Sequence, residues 1–235
     1  MSFLLPVVDL GPVYDDIRLP EGVQTLPEMF RAAGYWTFNE GGKDDYNFKH
    51  DTRAMYDFLP RKRGWGPAAL VAGECWEGRK KGQPFFGQVQ LSGGKLGRRA
   101  PMVIDRTKVP VPPYYPDTPL IRREVARFYD CVTAMDKEVG TILQQLEDDG
   151  LAENTIVFFY SDHGSGMPRH KRALLDSGMH VPLMTRFPKK WQHLAPGKPG
   201  TTTDRLVSFV DYAPTVLSLT GTPIPEHMQG NPFHG

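Results

Sequence analysis

The chain has 235 residues, 40% of them hydrophobic and 23% charged, with a formal net charge of +1. That length suits one large α/β domain and is short for two. The near-neutral balance argues against nucleic acid or an anionic membrane surface as a partner. Two cysteines, Cys75 and Cys131, are too few for a disulfide framework, and their spacing fits no zinc motif. No apolar run reaches the roughly 18 residues that a membrane-spanning helix needs. The opening Met1-Ser-Phe-Leu-Leu-Pro6 has neither the basic region nor the full apolar core of a signal peptide. Glycine (24) and proline (22) are abundant beside plentiful aromatics, which predicts many loops rather than disorder.

Residues 1–24 read as an N-terminal loop segment, with Pro6, Pro12 and Pro20 and no sustained periodicity. Thr25-Leu-Pro-Glu28 then has the form of a helix start, with Thr as N-cap, Pro in the first turn and Glu three residues on. The predicted helix ends at Gly34, and Tyr35–Phe38 follows as a short strand. The loop leaving that strand carries Lys43. Residues 48–83 are loop-rich and charged, with a helix expected around Pro67–Glu74. Phe85–Leu91 reads as a second strand running into Ser92-Gly-Gly-Lys95, and a proline-rich, extended connector covers Gly97–Pro119.

The strongest helical signal comes next. Apolar residues from Ile121 through Val125, Phe128, Val132, Met135, Val139 and Ile142 to Leu146 recur at steps of four and three, and Gly150 supplies the stop. This helix feeds a five-residue apolar and aromatic run, Ile156–Tyr160, short enough for one buried strand. A further strand is expected at Val181–Arg186 and a capped helix from Asp211 to about Gly221. The order alternates α and β, so the predicted fold class is α/β, a mostly parallel sheet flanked by helices.

Chemistry concentrates where the buried strand stops, at Ser161-Asp162-His163-Gly164. A carboxylate beside an imidazole at the carboxyl end of a strand suits a metal ion or an anionic substrate, and open α/β sheets bind ligands at that end. The same four residues also suit an ordinary polar turn. Lys43, Lys95 and Lys171 all lie in loops that a parallel sheet would send to the same edge. Each alone is an ordinary surface lysine. Together, near a metal-ligand pair, they suit an oxyanion such as sulfate or phosphate.

Residues 139–187 resemble the sulfatase family of the alkaline phosphatase superfamily. The likeness lies in Leu146-Glu-Asp-Asp-Gly-Leu-Ala-Glu-Asn-Thr-Ile-Val-Phe-Phe-Tyr-Ser-Asp-His-Gly164 and in Lys171-Arg-Ala-Leu-Leu-Asp-Ser-Gly-Met-His-Val-Pro182. Thr25–Thr37, the Lys43 loop, Leu206–Thr215 and Gln229-Gly230 echo the family as well. The pattern resembles bacterial heparan-N-sulfatase-like enzymes. The resemblance implies that Asp162 and His163 are the second pair of ligands to a divalent metal, generally calcium. It also implies that Lys43 and Lys171 contact the sulfate, and that Lys95 stands where many sulfatases have a histidine near the leaving-group oxygen. A lysine there binds an anion readily but needs a depressed pKa to donate a proton near neutral pH. Asp45 departs from the family too, at a place where a histidine is usual.

The family's nucleophile, a formylglycine made from Cys or Ser in Cys/Ser-x-Pro-x-Arg, has no counterpart here. Neither cysteine fits that motif, Ser165-Gly-Met-Pro-Arg169 has the letters at the wrong spacing, and Asp15-Asp16 follows no apolar strand. The resemblance therefore implies a partial catalytic domain over residues 25–235, with the first strand, the first metal ligands and the nucleophile before Met1 and a smaller subdomain beyond Gly235. The expected function is a sulfuric ester hydrolase acting on sulfated carbohydrate, in the periplasm or secreted by family analogy, with this chain inactive on its own. A phosphatase or phosphodiesterase of the same superfamily, or a non-catalytic anion- or glycan-binding derivative, is the alternative.

Overall fold

The computed structural model describes residues 17–40, 46–60, 66–91, 93 and 100–234. Helix α1 (Leu26–Ala32) begins as its sequence predicts: Glu28 accepts from both the backbone N–H (2.8 Å) and the hydroxyl (2.7 Å) of Thr25. That cap satisfies a backbone donor which a helix start otherwise leaves bare. Leu26, Met29 and Phe30 turn inward to meet Tyr212, Ala213 and Leu217 of the last helix, and Phe30 stacks on Phe86 with ring centroids 4.6 Å apart.

Strand β1 (Trp36–Glu40) pairs in parallel with β2 (Phe85–Val89), Phe38 lying opposite Gly87. A Cβ built on Gly87 would lie 2.0 Å from the Phe38 ring, so this glycine lets the buried ring cross the neighbouring strand. The other edge of β1 is held by residues 52–58, which include the short helix α2 (Thr52–Met55). The amides of Asp57 and Phe58 donate to the Thr37 carbonyl, and Asp57 links the Thr37 hydroxyl (3.1 Å) to Arg31 (3.0 Å). The helix expected over Pro67–Glu74 is cut short. Helix α3 (Ala68–Val71) stops before Gly73, whose φ of 76° is left-handed, and a separate single turn covers Glu74–Trp76.

Helix α4 (Pro119–Asp148) has thirty residues, capped by the Thr118 hydroxyl and stopped at Gly150, φ 67°. Its Asp130 is buried and accepts from the amides of Val103 and Ile104, both at 3.0 Å, pinning the connector to the helix. Val125, Ala126, Cys131 and Leu146 are buried. The middle of the stripe, Val132 to Ile142, is only half-covered and lines an apolar groove of about 1390 Å³ that β2 and β3 also line.

Strand β3 (Val157–Tyr160) pairs antiparallel with β4 (Leu183–Arg186). The alternation of α and β matches expectation, but this second pair runs the other way. The reason is local: residues 161–182 contain only the four-residue helix α5 (Asp176–Met179), and without a crossover helix the chain turns back beside β3. Helix α6 (Tyr212–Leu219) packs its first turn against Tyr160, at 4.9 Å between Tyr160 and Tyr212. Among the described residues no helix is long and apolar enough to cross a membrane.

Two outcomes follow from the packing around β1. Gly87→Ala drives a methyl into the Phe38 ring and is expected to cost about 1–3 kcal/mol in chemical denaturation; a loss under about 0.5 kcal/mol would show that the two strands can part freely. Glu40 is buried, accepts from the Ala69 amide at 2.8 Å and from the Cys75 thiol at 3.6 Å, and burial holds its carboxyl above the usual range. A carboxyl raised on folding contributes stability at low pH that is lost as pH climbs from the unfolded value of 4.5 through the folded one. The stability difference between Glu40→Gln and the parent should therefore move in favour of the variant between pH 4.5 and pH 8. A shift in the opposite sense would contradict the assignment.

Candidate metal and anion site

The site is built at the end of β3. Ser161 closes the strand through its amide, which donates to the Pro182 carbonyl at 3.3 Å, and its hydroxyl donates to the His163 carbonyl at 2.7 Å. Those two bonds swing Asp162 and His163 to the groove, where their side chains are 32% and 23% exposed. His163 Nδ1 lies 2.7 Å from the Gly164 carbonyl. A carbonyl can only accept, so Nδ1 carries the proton and Nε2 of the neutral ring keeps its lone pair. Nε2 is 3.5 Å from Asp162 Oδ2. A carboxylate oxygen and an imidazole lone pair at that spacing form two arms of a cation site, and the backbone carbonyl behind the ring is the usual outer support of a ligating histidine.

Two glycines fix this loop. The Gly164 amide donates to the Gly178 carbonyl at 3.1 Å, and a Cβ on Gly164 would fall 2.1 Å from the Ser177 carbonyl oxygen. A Cβ on Gly178 would sit 2.2 Å from the Ala173 carbonyl oxygen and 2.4 Å from that of His170. Backbone approaches this close leave no room for any side chain. Between them runs the segment with Lys171, whose amide donates to the Ser165 carbonyl at 3.0 Å while the residue itself is exposed.

Of the five residues singled out in the sequence, Asp162 and His163 stand together and Lys171 belongs to the same loop. Lys43 and Lys95 lie outside the described residues, as do Asp45 and the Asp15-Asp16 pair. Leu91 and Gly93, on the segment that leads from β2 toward Lys95, line the same groove as Asp162 and His163. Among the described residues there is no group of three or more His, Cys, Asp or Glu side chains able to hold a metal ion. The donors present thus suit part of a coordination shell, and calcium takes about six to eight oxygens.

Neither cysteine offers a nucleophile. Cys75 is fully buried beside Glu40, and burial pushes its thiol far above the ordinary range; Cys131 is buried within α4. His170, which joins Ser165 to Tyr114, escaped the sequence reading. Its partner lies 56 residues away, and no local pattern marks such a contact.

Comparison with known proteins shows the family of the chain. The sulfatase family model matches residues 5–222. An ulvan-active sulfatase of Formosa agariphila is 34% identical over 264 residues, covering 95% of this chain and 41% of the relative. The human N-sulphoglucosamine sulphohydrolase is 32% identical over 145 residues, covering 60% of this chain and 27% of the enzyme. A solved structure in complex with its substrate D-glucosamine-2-N,6-O-disulfate superposes with a TM-score of 0.60 at 19% identity, covering 92% of this chain and 64% of that one. The chain therefore spans less than half the length of these curated relatives, while the α/β architecture is that of the solved structure. By the extent of the match and the identity to the Formosa enzyme, the chain belongs to the sulfatase family, within the alkaline phosphatase superfamily.

Proposed function

We propose that this chain supplies one half of the metal shell and part of the anion clamp of a sulfuric ester hydrolase acting on sulfated carbohydrate. The observation that carries the reading is the Asp162–His163 pair, with Nδ1 committed to the Gly164 carbonyl and Nε2 left beside Oδ2. The relatives named as sulfatases and the glucosamine disulfate complex supply the substrate class.

In this reading Asp162 and His163 hold a divalent cation, calcium by family analogy. When bound, such an ion draws in sulfate oxygens and offsets the charge that develops at sulfur. The Lys171 ammonium, with Lys43 as its counterpart from the β1 loop, binds and orients the same oxyanion. By the family resemblance Lys95 is assigned to anion binding near the leaving group. Ser161 and Gly164 act indirectly, fixing the carbonyl and the imidazole of His163. This reading takes the nucleophile from polypeptide outside these residues, since no Cys or Ser here lies in a Cys/Ser-x-Pro-x-Arg motif.

Two outcomes test this. Titrated with calcium or manganese in a calorimeter, the 235-residue chain should bind one ion, and Asp162→Ala should weaken that binding by about 100-fold or more. Affinity unchanged within about twofold would remove Asp162 from the shell. The same chain should give no turnover of an aryl sulfate. Hydrolysis abolished by Asp162→Ala would refute the division of the site between this chain and upstream residues.

A further inference from the structure

The loop that carries Lys171 is braced by a side-chain cluster that the proposed chemistry does not use. His170 and Lys171 sit between Arg169 and Arg172, both with φ of 69°. Left-handed backbone is unfavourable for an arginine and persists only where its surroundings impose it. Here the surroundings are specific. The Ser177 hydroxyl donates to the Arg169 carbonyl at 2.7 Å, and the Tyr115 hydroxyl donates to the Pro168 carbonyl. The Tyr115 ring lies within 13° of parallel to the His170 ring, and the Arg169 guanidinium sits 5.2 Å over the Tyr114 ring.

His170 joins the two sides of the cluster. Ser165 Oγ accepts from the Met167 amide at 3.2 Å and lies 2.9 Å from His170 Nδ1; Tyr114 OH lies 3.1 Å from Nε2. A neutral imidazole offers one donor and one acceptor nitrogen, and a hydroxyl serves as either, so His170 links the serine and the tyrosine in either tautomer. Burial holds the imidazole below its ordinary pKa, in keeping with a neutral ring. The connection therefore runs from the Met167 amide through Ser165 Oγ and the His170 ring to Tyr114 OH. Ser165 is also the residue whose carbonyl receives the Lys171 amide.

We propose that His170 and Tyr115 are positioning residues for Lys171: the tyrosine pair of the proline-rich connector clamps the imidazole, and the imidazole fixes the turn from Ser165 to Lys171. The clamp rests on the reading of Lys171 as an anion-binding residue for its purpose, but its geometry is testable without any anion. A merely structural histidine would stabilise the whole domain. A positioning one governs this turn alone.

The test uses the 235-residue chain and its variants His170→Ala, His170→Gln and Tyr115→Phe. Amide hydrogen exchange is read at Lys171 alongside the melting temperature. Removing the imidazole should speed exchange at the Lys171 amide about tenfold, and removing the Tyr115 hydroxyl about threefold, with little change elsewhere in the chain. Glutamine at 170 can accept from Ser165 and donate to Tyr114, so it should restore exchange to within about threefold of the parent. Exchange at Lys171 within about twofold of the parent in His170→Ala would overturn the proposal, as would a uniform rise across the chain with a lower melting temperature. If His170→Ala does not fold, Tyr115→Phe decides by the same criteria, exchange unchanged at Lys171 counting against the clamp. In parallel, the rate of Lys171 acetylation is measured with and without inorganic sulfate. Sulfate should slow it in the parent and slow it less in His170→Ala. No protection in the parent defeats the anion role of Lys171 and leaves the exchange result to judge the clamp.

Discussion

The close approach of two backbones, at Gly164 and Gly178, is the constraint on which the site depends. The Gly164 amide reaches the Gly178 carbonyl at 3.1 Å, and neither position has space for a Cβ. That contact folds residues 165–177 back against the end of β3. It places Lys171 on the loop that follows the Asp162–His163 pair, and it sets the carbonyl of Gly164 where the His163 ring donates to it. Backbone hydrogen bonds and steric exclusion thus fix the imidazole tautomer before any ligand arrives, as preorganised sites require.

The scaffold behind the loop divides into two strand pairs around an apolar groove. β1 and β2 carry one wall, β3 another, and the half-covered stripe of α4 lies alongside. Asp162, His163 and His170 open onto that groove, as does the segment leaving β2. The Asp162–His163 pair thus lies at the end of β3 on a groove that residues of both strand pairs line, consistent with ligand sites lying beyond strand ends in α/β proteins. The buried Asp130 and Glu40 do structural work: each carboxylate takes backbone donors that would otherwise be unsatisfied.

Much of this was legible in the residues. Helix α4 stands out because its apolar residues keep a helical period from Ile121 to Leu146, and its Gly150 stop lies where such a residue is expected. The Thr25–Glu28 box was equally clear, because a capping box is a local arrangement. Asp162 and His163 were found from the abrupt end of an apolar run. What stayed hidden was tertiary. A four-residue strand such as Val157–Tyr160 carries no mark of its partner's direction, so the antiparallel pairing with β4 was unreadable. β1 extends through Glu40 past the predicted Phe38, because Asn39 and Glu40 go on pairing with Gln88 and Val89 and the Glu40 carboxyl accepts from the Ala69 amide. The His170 cluster depends on Tyr114 and Tyr115, brought from the far end of α4 by the fold alone.

The arrangement of His163 is the point at which the metal reading stands or falls, and nitrogen NMR of the imidazole observes it directly. The account predicts that the neutral ring carries its proton at Nδ1, with the Nε2 resonance shifting when calcium or manganese is added. A ring protonated at Nε2, or spectra unmoved by either cation at millimolar concentration, would contradict it.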